Sequence, residues 1–270
     1  MVADRPGLSV QRQFRTQFRW NTRLHPDRGK ESIPTDARHI EKYWTAATAG
    51  ALFASPANPT GTLIDDDSMQ SIVELVRRKK GKLIVDEIYH GLTYEQNAGT
   101  ALRYGEDIFI VQSFSKYFNM TGWRLGWLVV PEDFVRDVEK LAQNLFIAAS
   151  TPAQYAALAA FQPETIAILE ERRQEFKRRR DYLIPELEKL GFRLPARPDG
   201  AFYVYTDCSA LTPNSFQFAH DLLEQTGIAV TPGLDFGAHA PQSHLRFAYT
   251  TGIDRLEEAT KRISRFIGAL

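Results

Sequence analysis

The 270-residue chain carries a single cysteine, Cys208, so no disulfide can form within it, and cross-links are excluded as a source of stability. One cysteine also fits a reducing compartment, and a cytoplasmic location is expected. No apolar run approaches the ~20 residues that a membrane-crossing helix requires. Residues 1–30 lack the apolar core of a secretory signal. Net charge is absent as well: 33 Lys and Arg balance 33 Asp and Glu, which leaves no electrostatic case for nucleic acid or a membrane surface as partner. The histidines His25, His39, His90, His220, His239 and His244 show no tight metal-ligand spacing, so no metal site is expected. Neither an internal repeat nor a low-complexity stretch interrupts the chain.

What the chain does have is 43% hydrophobic residues and length enough for one large domain or two smaller ones. A short helix to Trp44 leads into an apolar strand at Ala51–Ala54. Asp65-Asp66-Asp67 opens a helix that closes near Lys79-Lys80-Gly81, acids first and bases last, as the helix dipole prefers. Then come a strand at Lys82–Val85, a short helix, a strand at Asp107–Gln112 and a strand at Leu125–Val130. A helix from Glu132 to about Ala148 follows, then one long helix from about Pro152 through the charge run Glu170–Arg180, read as a solvated face. The remainder reads as strands at Ala201–Thr206, Ile228–Thr231 and His244–Tyr249, with helices near Asn214–Gln225 and from Asp254. This alternation predicts an α/β fold, a mainly parallel sheet flanked by helices with a smaller C-terminal α/β domain.

Four short stretches carry chemistry. Ser113-Phe114-Ser115-Lys116 follows a strand, and Arg124 comes eight residues after the lysine. A lysine that can condense with a carbonyl, beside hydroxyls and a guanidinium that can hold a phosphate, suits a cofactor bearing both groups. Asn58-Pro59-Thr60-Gly61 forms a turn after the first strand, and Asp86-Glu87-Ile88-Tyr89 puts a carboxylate and a phenol at another strand end. Arg246 lies within a late apolar strand, where an unpaired charge is costly. Each residue also has a plainer reading. Lys116 could be a surface lysine, Asn58 a turn former and Asp86 a helix cap; Tyr89 could be core and Arg246 the partner of an internal carboxylate. Trp123 and Trp127 are read as packing. Together the four stretches form the parts list of a pyridoxal-phosphate site.

In this order and spacing, the stretches closely resemble the class I aminotransferases, fold-type I pyridoxal-phosphate enzymes, from about Ile33 to the C-terminus. The resemblance implies an aminotransferase that moves an amino group between an L-amino acid and a 2-oxo acid through a Schiff base at Lys116, with pyridoxal 5'-phosphate as cofactor. It implies that Asp86 keeps the pyridine nitrogen protonated, that Tyr89 and Asn58 hydrogen-bond the ring oxygen, and that Ser113 and Arg124 hold the phosphate, with Ser115 a lesser candidate. It also implies that Arg246 clamps the substrate carboxylate and that the complete protein is a homodimer.

Residues 1–50 show no counterpart of the family's glycine-rich phosphate turn, its ring-stacking aromatic or its intersubunit tyrosine, so the chain reads as N-terminally truncated. Residues 1–32 form an atypical basic segment: through position 30, Arg5, Arg12, Arg15, Arg19, Arg23, Arg28 and Lys30 stand against Asp4 and Asp27, a balance of +5. They are read as an altered junction near Ser32–Asp36, rather than as a presequence or a nucleic-acid arm. The large cofactor-binding domain, in part, is expected over 33–180 and the small domain over 181–270. Two alternatives stand beside the aminotransferase reading: a non-catalytic homologue (pseudoenzyme or gene fragment), and another fold-type I enzyme such as a lyase.

Overall fold

The computed structural model describes residues 37–237 and 240–269, so the basic segment 1–32 and its junction lie outside the described residues. By packing, the chain divides into two units, Thr35–Lys177 with Pro198–Ala201, and Arg178–Arg197 with Phe202–Leu270.

In the first unit, β1 (Gly50–Ala54), β2 (Lys82–Asp86) and β3 (Ile108–Ser113) run parallel in that order, and β4 (Gly126–Val129) pairs antiparallel with β3. A short helix α1 (Ala37–Tyr43) precedes β1, and α2 (Asp66–Arg78) connects β1 to β2. Why α2 forms is plain from its residues. The Asp65 carboxylate accepts the Ser68 N–H at 2.8 Å, a cap worth about 1 kcal/mol. Met69, Ile72, Val73 and Val76 recur at helical spacing and form one buried stripe. That stripe packs on Leu83 and Val85 of β2 and on Ile108 and Ile110 of β3, alternate residues of each strand facing one way. The sheet is thereby held from one face, with its strand ends free to carry loops.

Two expected helices come out differently. The helix from Glu132 stops at Leu145 (α3, Glu132–Leu145), because Ile147 takes a left-handed backbone, φ +69°, that a helix cannot continue. The single long helix expected from Pro152 is two, α4 (Thr151–Ala160) and α5 (Pro163–Lys189). Pro163 lacks an N–H and disfavours helical backbone in the residue before it, so α5 starts there. Pro185, by contrast, lies inside α5, between the buried Ile184 and Leu187. The short helix expected after β2 is a single 3₁₀ turn, Ala101–Tyr104. Trp127 packs its ring against Phe114, at 5.0 Å between centroids, but Trp123, expected to pack, is half exposed.

The second unit holds an antiparallel sheet in the order β5 (Tyr203–Asp207), β7 (His244–Ala248), β6 (Thr231–Pro232). The strand expected at Ile228–Thr231 shrinks to two residues, ending at Pro232, which has no N–H to give a ladder. Helices α6 (Ser215–Thr226) and α7 (Ile253–Ile267) bring Phe218, Leu222, Ile263 and Phe266 into a core with Leu245 and Phe247. Among the described residues, no helix is long and apolar enough to cross a membrane.

Candidate active site

Three parallel strands end at the same edge of the first sheet, and the antiparallel β4 starts there. The loops following β1, β2 and β3 therefore share one edge, the usual place for ligands in such sheets. Asn58 follows β1, Asp86 ends β2 with Tyr89 just beyond, and Ser113 ends β3. Lys116 and Arg124 lie on the connection to β4. Asn58, Asp86, Tyr89, Ser113, Lys116 and Arg124 thus lie at one edge of the sheet. Arg246 belongs to the second unit.

The β1 loop is tied down by its backbone. Ser55 N–H donates to the Asp86 carbonyl at 3.0 Å, which joins this loop to the end of β2. Gly61 has φ +70°, and a Cβ there would lie 2.6 Å from the Gly200 carbonyl oxygen. The Gly61 carbonyl accepts N–H groups of Asp199 and Gly200 at 2.9 and 2.8 Å. Only glycine allows the chain to pass so close.

At the end of β2, the Asp86 carboxylate accepts the Ile88 N–H at 3.1 Å. Burial pushes its proton affinity above the ordinary carboxylate range, an effect opposed by that hydrogen bond and by the nearby positive charge of Lys116. The Lys116 amine lies 5.4 Å from the centroid of the buried Tyr89 ring. Lysine, carboxylate and phenol therefore stand within electrostatic reach of one another.

The connection from β3 to β4 closes on itself. Asn119 N–H donates to the Lys116 carbonyl at 3.0 Å, and the Thr121 hydroxyl to the Ser115 carbonyl at 2.7 Å. Arg124 adopts a left-handed backbone, φ +54°, and its guanidinium donates to the Thr121 carbonyl at 3.0 Å and to Ser115 Oγ at 3.4 Å. The Ser113 hydroxyl instead accepts the Ser115 N–H at 3.0 Å. Of the two serines, Ser115 is the one whose hydroxyl meets the guanidinium. Together they make a cationic, hydroxyl-bearing cup suited to an anion.

In the second unit, Arg246 of β7 stands opposite Tyr205 and Thr231, and donates to Thr231 Oγ1 at 3.2 Å. Its guanidinium lies over the rings of Tyr203 and Phe236, at 4.2 and 4.6 Å from their centroids. Stacking of this kind fixes the plane of the fork.

Sequence reasoning passed over Glu87, which is 1% exposed. Its carboxylate accepts Ala101 N–H at 2.7 Å, Thr100 Oγ1 at 3.1 Å and Gln112 Nε2 at 3.1 Å, and His90 Nδ1 lies 3.3 Å away. It pins the loop carrying Asp86 and Tyr89 to β3 and to the 3₁₀ turn. The signal available was an acidic residue directly after a strand, but its partners lie 13 to 25 positions away.

The family model described as aminotransferase class I and II matches residues 14–263. The chain is 39% identical over 220 residues to the valine–pyruvate aminotransferase of Mycobacterium tuberculosis, covering 81% of this chain and 57% of that protein. Against the aspartate/prephenate aminotransferase of Thermus thermophilus, identity is 33% over 242 residues, 88% of this chain and 62% of the relative. Among solved structures, an aminotransferase from Mycobacterium tuberculosis superposes with a TM-score of 0.83 at 37% identity, covering 87% of this chain and 61% of that one. The chain thus spans less than two thirds of the length of these relatives. A family model matched over most of the chain, with these relatives, shows that the chain belongs to the class I and II aminotransferase family.

Proposed function

We propose that the chain carries the chemistry of a pyridoxal-phosphate-dependent aminotransferase, exchanging an amino group between an L-amino acid and a 2-oxo acid. The observation that carries this reading is the meeting of Asp86, Lys116 and the Arg124–Ser115 pair at one sheet edge. A primary amine, a buried carboxylate and a cationic cup fit the aldehyde, the protonated ring nitrogen and the phosphate of pyridoxal 5'-phosphate. When bound, that cofactor supplies an electrophilic carbon and a ring that draws electrons from an attached amino acid.

The residues of the chain do the rest. Arg124, Ser115 and Ser113 would hold the dianionic phosphate. Asp86 holds the proton on the ring nitrogen, because its charge in a buried setting favours a cation beside it. Tyr89 and Asn58 orient the ring through its oxygen. Lys116 Nζ is the amine that would hold the cofactor's aldehyde, and as a free base it would take the proton from the substrate Cα and later return one. Arg246 offers a planar fork to the substrate carboxylate. The cofactor-holding part, 33–180, and the part carrying Arg246, 181–270, are the two domains of this reading. Its working form is a homodimer in the cytoplasm, and exposed Leu145, Phe146 and Ile147 support an associated state.

The test is the visible absorbance of the purified chain with pyridoxal 5'-phosphate, with Lys116→Ala as control. A band that needs Lys116 and bleaches when an amino acid is added supports the reading. A chain with no Lys116-dependent band overturns it.

A further inference from the structure

Directly after Lys116, Tyr117 turns away from the cofactor edge and reaches α5. Its hydroxyl donates to Glu170 Oε1 at 2.6 Å. Glu170 Oε2 in turn accepts Arg173 Nε at 2.7 Å, and Arg173 Nη1 donates to the Thr93 carbonyl at 2.9 Å. The flank of the Tyr117 ring lies where a side chain of Gly91 would be: a Cβ on Gly91, φ +88°, would come within 2.5 Å of the ring. One turn of α5 therefore grips both the loop that bears Lys116 and the segment just beyond Tyr89. Burial, reinforced by the Glu170 hydrogen bond and charge, keeps the Tyr117 phenol protonated far above its ordinary range. Although burial works against it, the Tyr117 hydroxyl and the Arg173 guanidinium hold Glu170 ionised. The donor and the acceptor thus keep their roles across the working pH range.

We propose that Tyr117 and Glu170 form a positioning pair that sets the Lys116 amine over the Tyr89 ring, in reach of an incoming carbonyl. The proposal rests on the cofactor reading above and adds a latch outside the cofactor's own contacts. A misplacement of the amine by a fraction of an ångström slows attack without touching the cofactor-binding groups, and a displacement of about 1 Å can cost up to ~100-fold.

The experiment measures how fast Lys116 is labelled by pyridoxal 5'-phosphate with borohydride trapping, read from the mass of its peptide, in the full chain. Tyr117→Phe and Glu170→Ala should each slow labelling by about tenfold, and the double variant no further, since the two act through one bond. Glu170→Gln keeps an acceptor for the hydroxyl and should recover most of the rate. Thermal melts on the same samples separate the two roles: a merely structural pair lowers the melting temperature and leaves labelling of the folded chain unchanged. Unchanged labelling, or single effects that multiply in the double variant, overturns the proposal while the cofactor reading stands. A parent chain in which Lys116 takes no label overturns both.

Discussion

Lys116 holds its amine 5.4 Å from the centre of the Tyr89 ring, and that ring is buried at 3% exposure. A cation above an aromatic face gains roughly 0.5–2 kcal/mol, depending on how far it is desolvated. The ring is therefore a platform for the amine as well as the carrier of a hydroxyl, and the two roles can be parted. Tyr89→Phe keeps the platform; it should still be labelled at Lys116, but its visible band with pyridoxal 5'-phosphate should titrate at higher pH. The missing hydroxyl no longer stabilises negative charge on the ring oxygen. Tyr89→Ala removes both and should cost about 3–5 kcal/mol in urea unfolding. Absorbance followed against pH decides the first point.

Asp86 is held above the ordinary carboxylate value of 3.8 by burial, so the folded chain binds this proton more tightly than the unfolded one. Ionised Asp86 therefore costs stability once the pH rises above 3.8, and the cost is absent below it. Without cofactor at neutral pH, Asp86→Asn should be at least as stable as the parent. Saturating pyridoxal 5'-phosphate should reverse that order, stabilising the parent and not the variant. Urea titrations with and without cofactor make the check, and an Asp86→Asn chain weaker in both would contradict the electrostatic account.

The Arg124–Ser115 cup should discriminate by phosphate. A charge-assisted hydrogen bond is worth roughly 1.5–3 kcal/mol. Arg124→Ala should accordingly bind pyridoxal 5'-phosphate about 10- to 100-fold more weakly. Pyridoxal, which lacks the phosphate, should bind parent and variant alike. Fluorescence titration with both compounds tests it, and equal losses for the two would mean that Arg124 acts through loop structure alone.

Gly61 governs the loop that carries Asn58. A methyl group there would meet the Gly200 carbonyl oxygen and the Pro198 Cβ, each at 2.6 Å, on a backbone already at φ +70°. Gly61→Ala should cost about 1–3 kcal/mol. The segment Pro198–Ala201 should become easier to cleave, since Asp199 and Gly200 bond to the Gly61 carbonyl. Urea unfolding and limited proteolysis give the two readouts.

Much of the fold was legible because the candidate site residues follow apolar strands. Leu83-Ile84-Val85 before Asp86, and Ile108–Val111 before Ser113, mark apolar strands by composition alone, and these two candidate side chains come within two residues of the end of each run. What escaped depends on contacts distant in sequence. Glu87 looked like a neighbour of Asp86 until Thr100, Ala101 and Gln112 converged on it. Tyr117 finds its acceptor in Glu170, 53 positions away. Helix ends were lost to backbone detail: Ile147 turns left-handed, and Pro163 restarts the helix that Pro152 had begun. The antiparallel order of the small sheet could not be read at all, because strand direction is set by the connections and not by the strands' own residues.

The residues that bury themselves against α2 and those that line the strand-end edge are almost wholly different sets. Ile72, Val85 and Ile110 shape the sheet without touching the chemistry, while Lys116 and Arg124 lie outside that packed core. Natural selection can therefore act on one set while leaving the other alone. A lineage that abandoned catalysis would go on folding the same sheet, and descendants would keep their likeness to working relatives long after the reaction had ceased. Likeness of form can thus be carried by the core alone, apart from the few side chains at the strand ends.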